Sequence, residues 1–206
     1  MKPGIQGIIF DFGNVIYTVD NSHFLEDLSA LCGLPPEELH RRIFLGSTLP
    51  EDYESGRIGS DAFLEQLSER CGTPITEAMF RRTQAEVFAP IESTHELIRR
   101  LKPHYRLGLL SNTNPRHFDM VIRTAPVFPL FDAVTLSYEA CAMKPKPAIY
   151  LDALAKIGLP AETCVFIDDR PEFAEAATAM GMHGLCFTDG GQLLEDLGRL
   201  GIRGLR

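Results

Sequence analysis

The architecture of this chain follows from one run, Gly7-Ile8-Ile9-Phe10-Asp11-Phe12-Gly13-Asn14-Val15. Three apolar residues in a row, two of them isoleucine, read as a strand buried on both faces. The run stops on a carboxylate with a glycine two positions on. An aspartate at the carboxyl end of a buried strand lies on the rim of a sheet, where open α/β folds bind their ligands. Gly13 lets the backbone turn there and brings a bare peptide carbonyl to that rim. Taken alone, Asp11 serves equally well as a turn residue. The pattern recurs, however: Arg106-Leu107-Gly108-Leu109-Leu110 ends on Ser111-Asn112-Thr113-Asn114, and Cys164-Val165-Phe166-Ile167 ends on Asp168-Asp169.

Around these runs, strands alternate with helical segments. Glu92 to Leu101 places Leu97, Ile98 and Leu101 on one helical face, and Pro103-His104 ends it. Phe131 to Ser137 reads as a further strand, Lys144-Pro145-Lys146-Pro147 opens a helix carrying Ile149, Ala153, Leu154 and Ile157, and Gly184 to Phe187 reads as the last strand. Buried strands alternating with helices imply a doubly wound, parallel α/β sheet covered on both faces. Right-handed crossovers put every strand's carboxyl end along one edge. Asp11, Ser111-Asn112 and Asp168-Asp169 therefore fall on one rim.

Between the first strand and Pro90 the strand signals vanish. His23 to Leu31, Pro36 to Phe44, Ser60 to Leu67 and Pro74 to Val87 carry helical spacing, with Phe24, Leu28, Ile43, Phe63 and Phe80 among the inward positions. The expected organisation is an α/β core of residues 1–16 and 91–206 and a helical bundle of residues 17–90, inserted at the rim beside Asp11 and able to cover it.

A chain of 206 residues with 45% hydrophobic content can bury a proper core. Net charge is −8 with basic residues scattered, so no nucleic-acid partner is expected. No window approaches the roughly 18 apolar residues of a membrane span. Met1-Lys2-Pro3-Gly4 leads almost directly into the first strand, which points to a cytoplasmic protein without a signal peptide. Five separated cysteines show no zinc spacing or disulfide framework, and Cys164 and Cys186 read as buried thiols. A monomer and a homodimer are both compatible with the pattern.

Three carboxylates on one rim repel one another unless a cation lies between them. Oxygen donors without clustered His or Cys favour a hard ion, Mg²⁺. Ser111, Asn112 and Lys144 add hydrogen-bond donors and positive charge, a setting that suits a phosphoryl group. In such a site Asp11 can attack phosphorus and form an acyl phosphate.

In this respect the sequence resembles the haloacid dehalogenase-like (HAD) superfamily of hydrolases. The likeness rests on Phe10-Asp11-Phe12-Gly13-Asn14-Val15, Leu110-Ser111-Asn112-Thr113-Asn114, Lys144-Pro145 and Phe166-Ile167-Asp168-Asp169, in that order, with residues 17–90 in the place of the helical cap. The resemblance implies that Asp11 is the nucleophile and that Asp11, the Gly13 carbonyl and Asp169 bind Mg²⁺, with Asp168 a ligand or a neighbour of one. It further implies that Ser111 and Asn112 hold phosphate and that Lys144 balances charge. The first motif is similar to that of bacterial sugar-phosphate phosphatases, including a glucose-1-phosphate phosphatase, so a small sugar phosphate with a good leaving group is the expected substrate.

Two positions depart from the family pattern. Gly13 stands where most such phosphatases carry a second Asp that protonates the leaving oxygen, and loss of a general acid–base lowers rate by about 10²–10⁴-fold. Asp20 and Glu54 are the candidates to replace it. Phe173 stands where an Asn or Asp normally orients the metal's surroundings. Two other readings accompany the main one: a phosphate-binding protein without turnover, and a metal-free 2-haloacid dehalogenase. Tyr53 and Glu54 are placed to face the pocket, and Asn114 and Arg116 to touch substrate or to start a helix.

Overall fold

In the computed structural model, which describes residues 4–20, 22–83 and 87–205, the opening apolar run is the central strand. Met1 to Pro3, on which the reading of the N-terminus partly rests, lie outside these residues. Elements follow as β1 (Gly7–Phe10), β2 (Tyr17–Val19), α1 (Ser22–Cys32), α2 (Pro36–Ile43), α3 (Leu49–Glu54), α4 (Ser60–Cys71), α5 (Glu77–Thr83) and β3 (Phe88–Pro90). The second half contains α6 (Glu92–Leu101), β4 (Arg106–Ser111), α7 (Pro115–His117), β5 (Ala133–Leu136) and α8 (Ser137–Ala140). It closes with α9 (Pro147–Ile157), β6 (Cys164–Asp168), α10 (Pro171–Ala179), β7 (His183–Cys186) and α11 (Gly190–Arg199).

Five strands form one sheet in the order β5-β4-β1-β6-β7. All neighbours are parallel, with Phe10 opposite Leu109 on one side and Ile167 on the other. The doubly wound parallel sheet expected from the sequence is thus the architecture observed. Strand alternation divides its side chains between two cores. Ile8, Phe10, Leu107, Leu109, Val165 and Ile167 pack with Leu97, Ile98 and Leu101 of α6 and Leu193 and Leu197 of α11. Ile9, Leu110 and Phe166 pack on the opposite face with Ile149, Tyr150, Ala153 and Ile157 of α9 and Ala177 of α10. Each such fully buried side chain stabilises the fold by about 1.5–3 kcal/mol. By the same alternation Asp11 lies on the face of Ile9, toward the segment that leads into α9.

Helices α1–α5 enclose a separate cluster built on Phe24, Leu28, Leu39, Ile43, Tyr53, Phe63, Leu67 and Phe80. The stretch is not purely helical, as the sequence suggested. Tyr17–Val19 pairs antiparallel with Phe88–Pro90, so a two-stranded ribbon joins the helices to the sheet. Strands of three residues are too short to show a period of two. Cys164 is buried as expected, whereas Cys186 is exposed, because it closes an edge strand that has a neighbour on one side only. No described helix is long and apolar enough to cross a membrane.

Candidate active site

Carboxylate oxygens of Asp11, Asp168 and Asp169 come within 4.8 Å of one another at the carboxyl ends of β1 and β6. Parallel pairing of these strands is what gathers side chains more than 150 positions apart. Lys144 reaches the same point from the segment before α9. Its Nζ lies 2.8 Å from Asp11 Oδ1 and 2.5 Å from Asp168 Oδ2. All three groups are almost wholly shielded from water. Burial raises the Asp11 carboxyl; Lys144 opposes the rise and Asp168 adds to it, and the net result is about 7. Burial likewise raises Asp168 against the pull of Lys144. A shortage of positive charge is therefore built into the cluster.

The two carboxylates of the fourth motif do different work. Both oxygens of Asp168 are engaged, one by Lys144 and one by the Arg170 N–H at 2.9 Å. Asp169 is more open and accepts from Asn14 Nδ2 at 3.0 Å. Asn14 has φ +53° and its Oδ1 accepts from the Val19 N–H at 3.0 Å, so the amide is held from both ends. Sequence reasoning missed this residue as a partner of the acidic cluster. The one available signal was an asparagine following a glycine at a turn, since Asn tolerates positive φ.

Ser111 and Asn112 lie on the same rim, at and after the end of β4. The Asn112 side chain faces Lys144 rather than open space: its Oδ1 accepts from the Lys144 N–H at 2.9 Å and its Nδ2 donates to the Lys144 carbonyl at 3.2 Å. The amide thereby fixes the backbone from which the lysine reaches the carboxylates. Phe173 replaces a polar group with a ring face. Lys144 Nζ lies 5.2 Å from its centroid and 5.6 Å from that of Phe166, an arrangement that stabilises a buried ammonium.

Among the described residues, two joints tie helices α1–α5 to the rim. In the first, Ser137 Oγ accepts from the Thr113 N–H at 2.9 Å and lies 2.5 Å from the Glu54 carbonyl. Gly56 follows at φ +72°, where a Cβ would come within 2.2 Å of the Tyr138 carbonyl oxygen, so a side chain there would force the joint apart. In the second, the buried Arg116 donates to Glu77 Oε2 at 2.6 Å, to the Tyr53 hydroxyl at 3.0 Å and to the Ser60 carbonyl at 2.9 Å. Its guanidinium also stacks over the rings of Tyr53 and Phe80. Arg116 is thus a fastening between layers; Asn114 caps α7 by accepting from the His117 N–H.

Between these joints opens a cavity lined by Phe24, Ile43, Phe44, Pro50, Phe63 and Phe80, with Tyr53, Glu54, Asn114 and His117 completing the wall. Burial raises the Glu54 carboxyl to about 7 and lowers His117 to about 4. Asn114 Oδ1 is occupied by the His117 N–H, so its Nδ2 is the atom 3.1 Å from His117 Nδ1. The neutral ring therefore accepts at Nδ1 and carries its proton on Nε2. Of the two candidates for a proton donor, Glu54 is on this wall. Asp20 is exposed at the end of the ribbon, its N–H bonded to the Val87 carbonyl.

The family of haloacid dehalogenase-like hydrolases matches residues 5–181. A D-ribitol-5-phosphate phosphatase of Bacteroides thetaiotaomicron is 31% identical over 176 residues, covering 80% of this chain and 83% of that protein. A sesquiterpene phosphatase of Aspergillus oryzae is 30% identical over 196 residues, covering 92% and 93%. Among solved structures, a HAD family enzyme of Bacteroides thetaiotaomicron, in complex with magnesium and inorganic phosphate, shares the fold with a TM-score of 0.82 at 22% identity, over 92% of this chain and 99% of that one. With four motifs meeting on one rim and a family match across most of its length, the chain belongs to the haloacid dehalogenase-like hydrolases.

Proposed function

We propose that the chain is a Mg²⁺-dependent phosphoric monoester hydrolase that passes the phosphoryl group of a small phosphorylated metabolite to Asp11 and then to water. The observation that carries this reading is the buried amine of Lys144 shared by Asp11 and Asp168, with the Asp169 carboxylate beside them. Three carboxylates against one ammonium leave two negative charges uncompensated, which is the demand a divalent cation meets. Asp11, the Gly13 carbonyl and Asp169 would hold Mg²⁺, and Asp168 supports the cluster from within. When bound, the ion neutralises phosphate charge and aligns the ester.

Asp11 then forms its bond to phosphorus as the ester P–O bond breaks, while Lys144 faces the developing charge. Ser111 offers a hydroxyl to the phosphate, and Asn112 keeps Lys144 in place. Purified protein should release inorganic phosphate from acetyl phosphate and a panel of sugar phosphates. EDTA should reduce this to background, and Mg²⁺ should restore it. Halide release that persists in EDTA would instead identify a dehalogenase, and phosphate binding without release a silent pocket. Asn14→Ala should weaken Mg²⁺ binding about 10–100-fold, because the amide that orients Asp169 is gone. Isothermal titration reads this without reference to turnover.

Glu54 takes the proton-donor role that Gly13 cannot fill. Among the described residues its carboxyl has no hydrogen-bond partner, and burial keeps it protonated up to about pH 7. Glu54→Gln should reduce kcat for alkyl and sugar phosphates by about 10²–10⁴-fold. Acetyl phosphate, whose leaving group needs no proton, should still phosphorylate Asp11 at nearly the wild-type rate and show the loss only in the later release of inorganic phosphate. Wild-type kcat on the poor leaving groups should fall as pH rises through about 7, and the variant should lose this limb. The same shift acts on folding: unfolded glutamate ionises near 4.5, so stability from this group is full below that pH and is lost as pH rises through about 7. Wild type should therefore lose several degrees of Tm relative to Glu54→Gln between pH 4.5 and pH 8, both measured in the same buffers.

A further inference from the structure

We infer that the substrate is the monophosphate ester of an apolar alcohol, its phosphate on Asp11 and its hydrocarbon in the cavity under helices α1–α5. The inference rests on the phosphatase reading above and narrows it away from the sugar phosphate that the first motif suggests. Six of the ten wall residues offer carbon alone. Two of the other four are already committed: the Tyr53 hydroxyl lies 2.8 Å from Ser60 Oγ and accepts from Arg116, and both ends of the Asn114 amide face His117. A polyol brings four or five hydroxyls, each needing a partner in place of water. Hydroxyls left unpaired in a buried site weaken binding far more than a lost methylene does.

The cavity wall and the rim share one loop. Asn114 lies two residues beyond Asn112, so their Cα atoms are at most about 7.6 Å apart. Glu54 is tied to the same loop through Ser137 and Thr113. The polar wall therefore stands where the phosphate joins the alcohol and the apolar wall where the alcohol extends. In the step itself, an Asp11 oxygen bonds to phosphorus and the bond from phosphorus to the alcohol oxygen breaks. That oxygen leaves as the alcohol with the Glu54 proton. Water then attacks the aspartyl phosphate, returns one proton to Glu54 and releases inorganic phosphate and Asp11.

The test is a series of n-alkyl monophosphates from butyl to decyl, set against ribitol 5-phosphate and glucose 6-phosphate, with acetyl phosphate as the control for turnover. Burial of each added methylene should raise kcat/KM by about four-fold until the cavity is filled. Hexyl phosphate should exceed either polyol phosphate by at least about ten-fold. Dissociation constants of the matching n-alkylphosphonates should show the same slope without chemistry. Phe44→Glu, at a position 40% exposed on the cavity wall, should flatten both slopes. A flat series in both measurements, or a preference for the polyol phosphates, would overturn the inference. Loss of acetyl phosphate turnover with the phosphonate slope intact would instead remove the phosphatase reading and leave the apolar site standing.

Discussion

Asp11→Asn should abolish phosphate release, by roughly 10⁴–10⁶-fold, the scale on which loss of a covalent nucleophile acts. The asparagine amide matches the carboxylate in shape and cannot form an acyl phosphate. Stability should move the other way. Asp11 is buried, and its carboxyl is raised to about 7 because burial and Asp168 outweigh Lys144. The folded state holds that proton where an unfolded aspartate has released it, so the stability tied to the group is full below pH 3.8 and lost as pH rises through about 7. A neutral side chain escapes this loss, while Lys144 keeps Asp168 as its partner. In EDTA at pH 8 the variant should therefore melt at or above the wild-type temperature while inactive. A fall in both would mean that Asp11 serves the fold rather than the reaction. Beryllium fluoride, a mimic of the aspartyl phosphate, should protect the wild type from melting and leave the variant unchanged.

Lys144→Met should be the most damaging substitution to the fold. It leaves Asp11 and Asp168 facing each other in a buried site with no cation between them. Removing one partner of a buried charge cluster destabilises by about 3–5 kcal/mol. For a chain of this size that corresponds to a fall of about 10 °C in Tm, measured in EDTA. Asp168→Asn in the same background should recover most of the loss, because one negative charge leaves with the positive one. Activity should not return, since no group then balances the charge on Asp11 and phosphate. Mg²⁺ should stabilise the single variant more than it stabilises the wild type, the ion replacing part of the missing charge.

The sheet and the rim were legible because parallel topology leaves few choices. Once Ile8-Ile9-Phe10 and Val165-Phe166-Ile167 are neighbouring parallel strands, Asp11 and Asp168 must end on one edge. Contacts that depend on side-chain direction were not legible. Asn14 reaches Asp169 across 155 positions, and nothing near Asn14 announces that partner. Arg116 reads beside the second motif as a substrate contact or a helix start, yet it turns away from the phosphate rim to meet Glu77 and Tyr53. Asn112 reads as a phosphate holder, and nothing in its sequence context shows that its amide grips the Lys144 backbone. The apolar cavity is hidden for a simpler reason: Phe24, Ile43, Phe63 and Phe80 carry the spacing of ordinary helix cores, and a period cannot distinguish a filled interior from one with room in it.

The guanidinium of Arg116 has a consequence for traffic. Stacked on two aromatic faces and tied to Glu77 and Ser60, it rivets one border of the helical roof to the floor, and the tight seam of Gly56 against Tyr138 closes a second stretch. Lifting the roof would strip the buried guanidinium from Glu77, its counterion among the described residues, a slow event for a molecule that must admit and discharge a guest on every cycle. The doorway is then the border where Phe44 stands partly in water, and an incoming chain would thread past that ring rather than wait for the roof to rise.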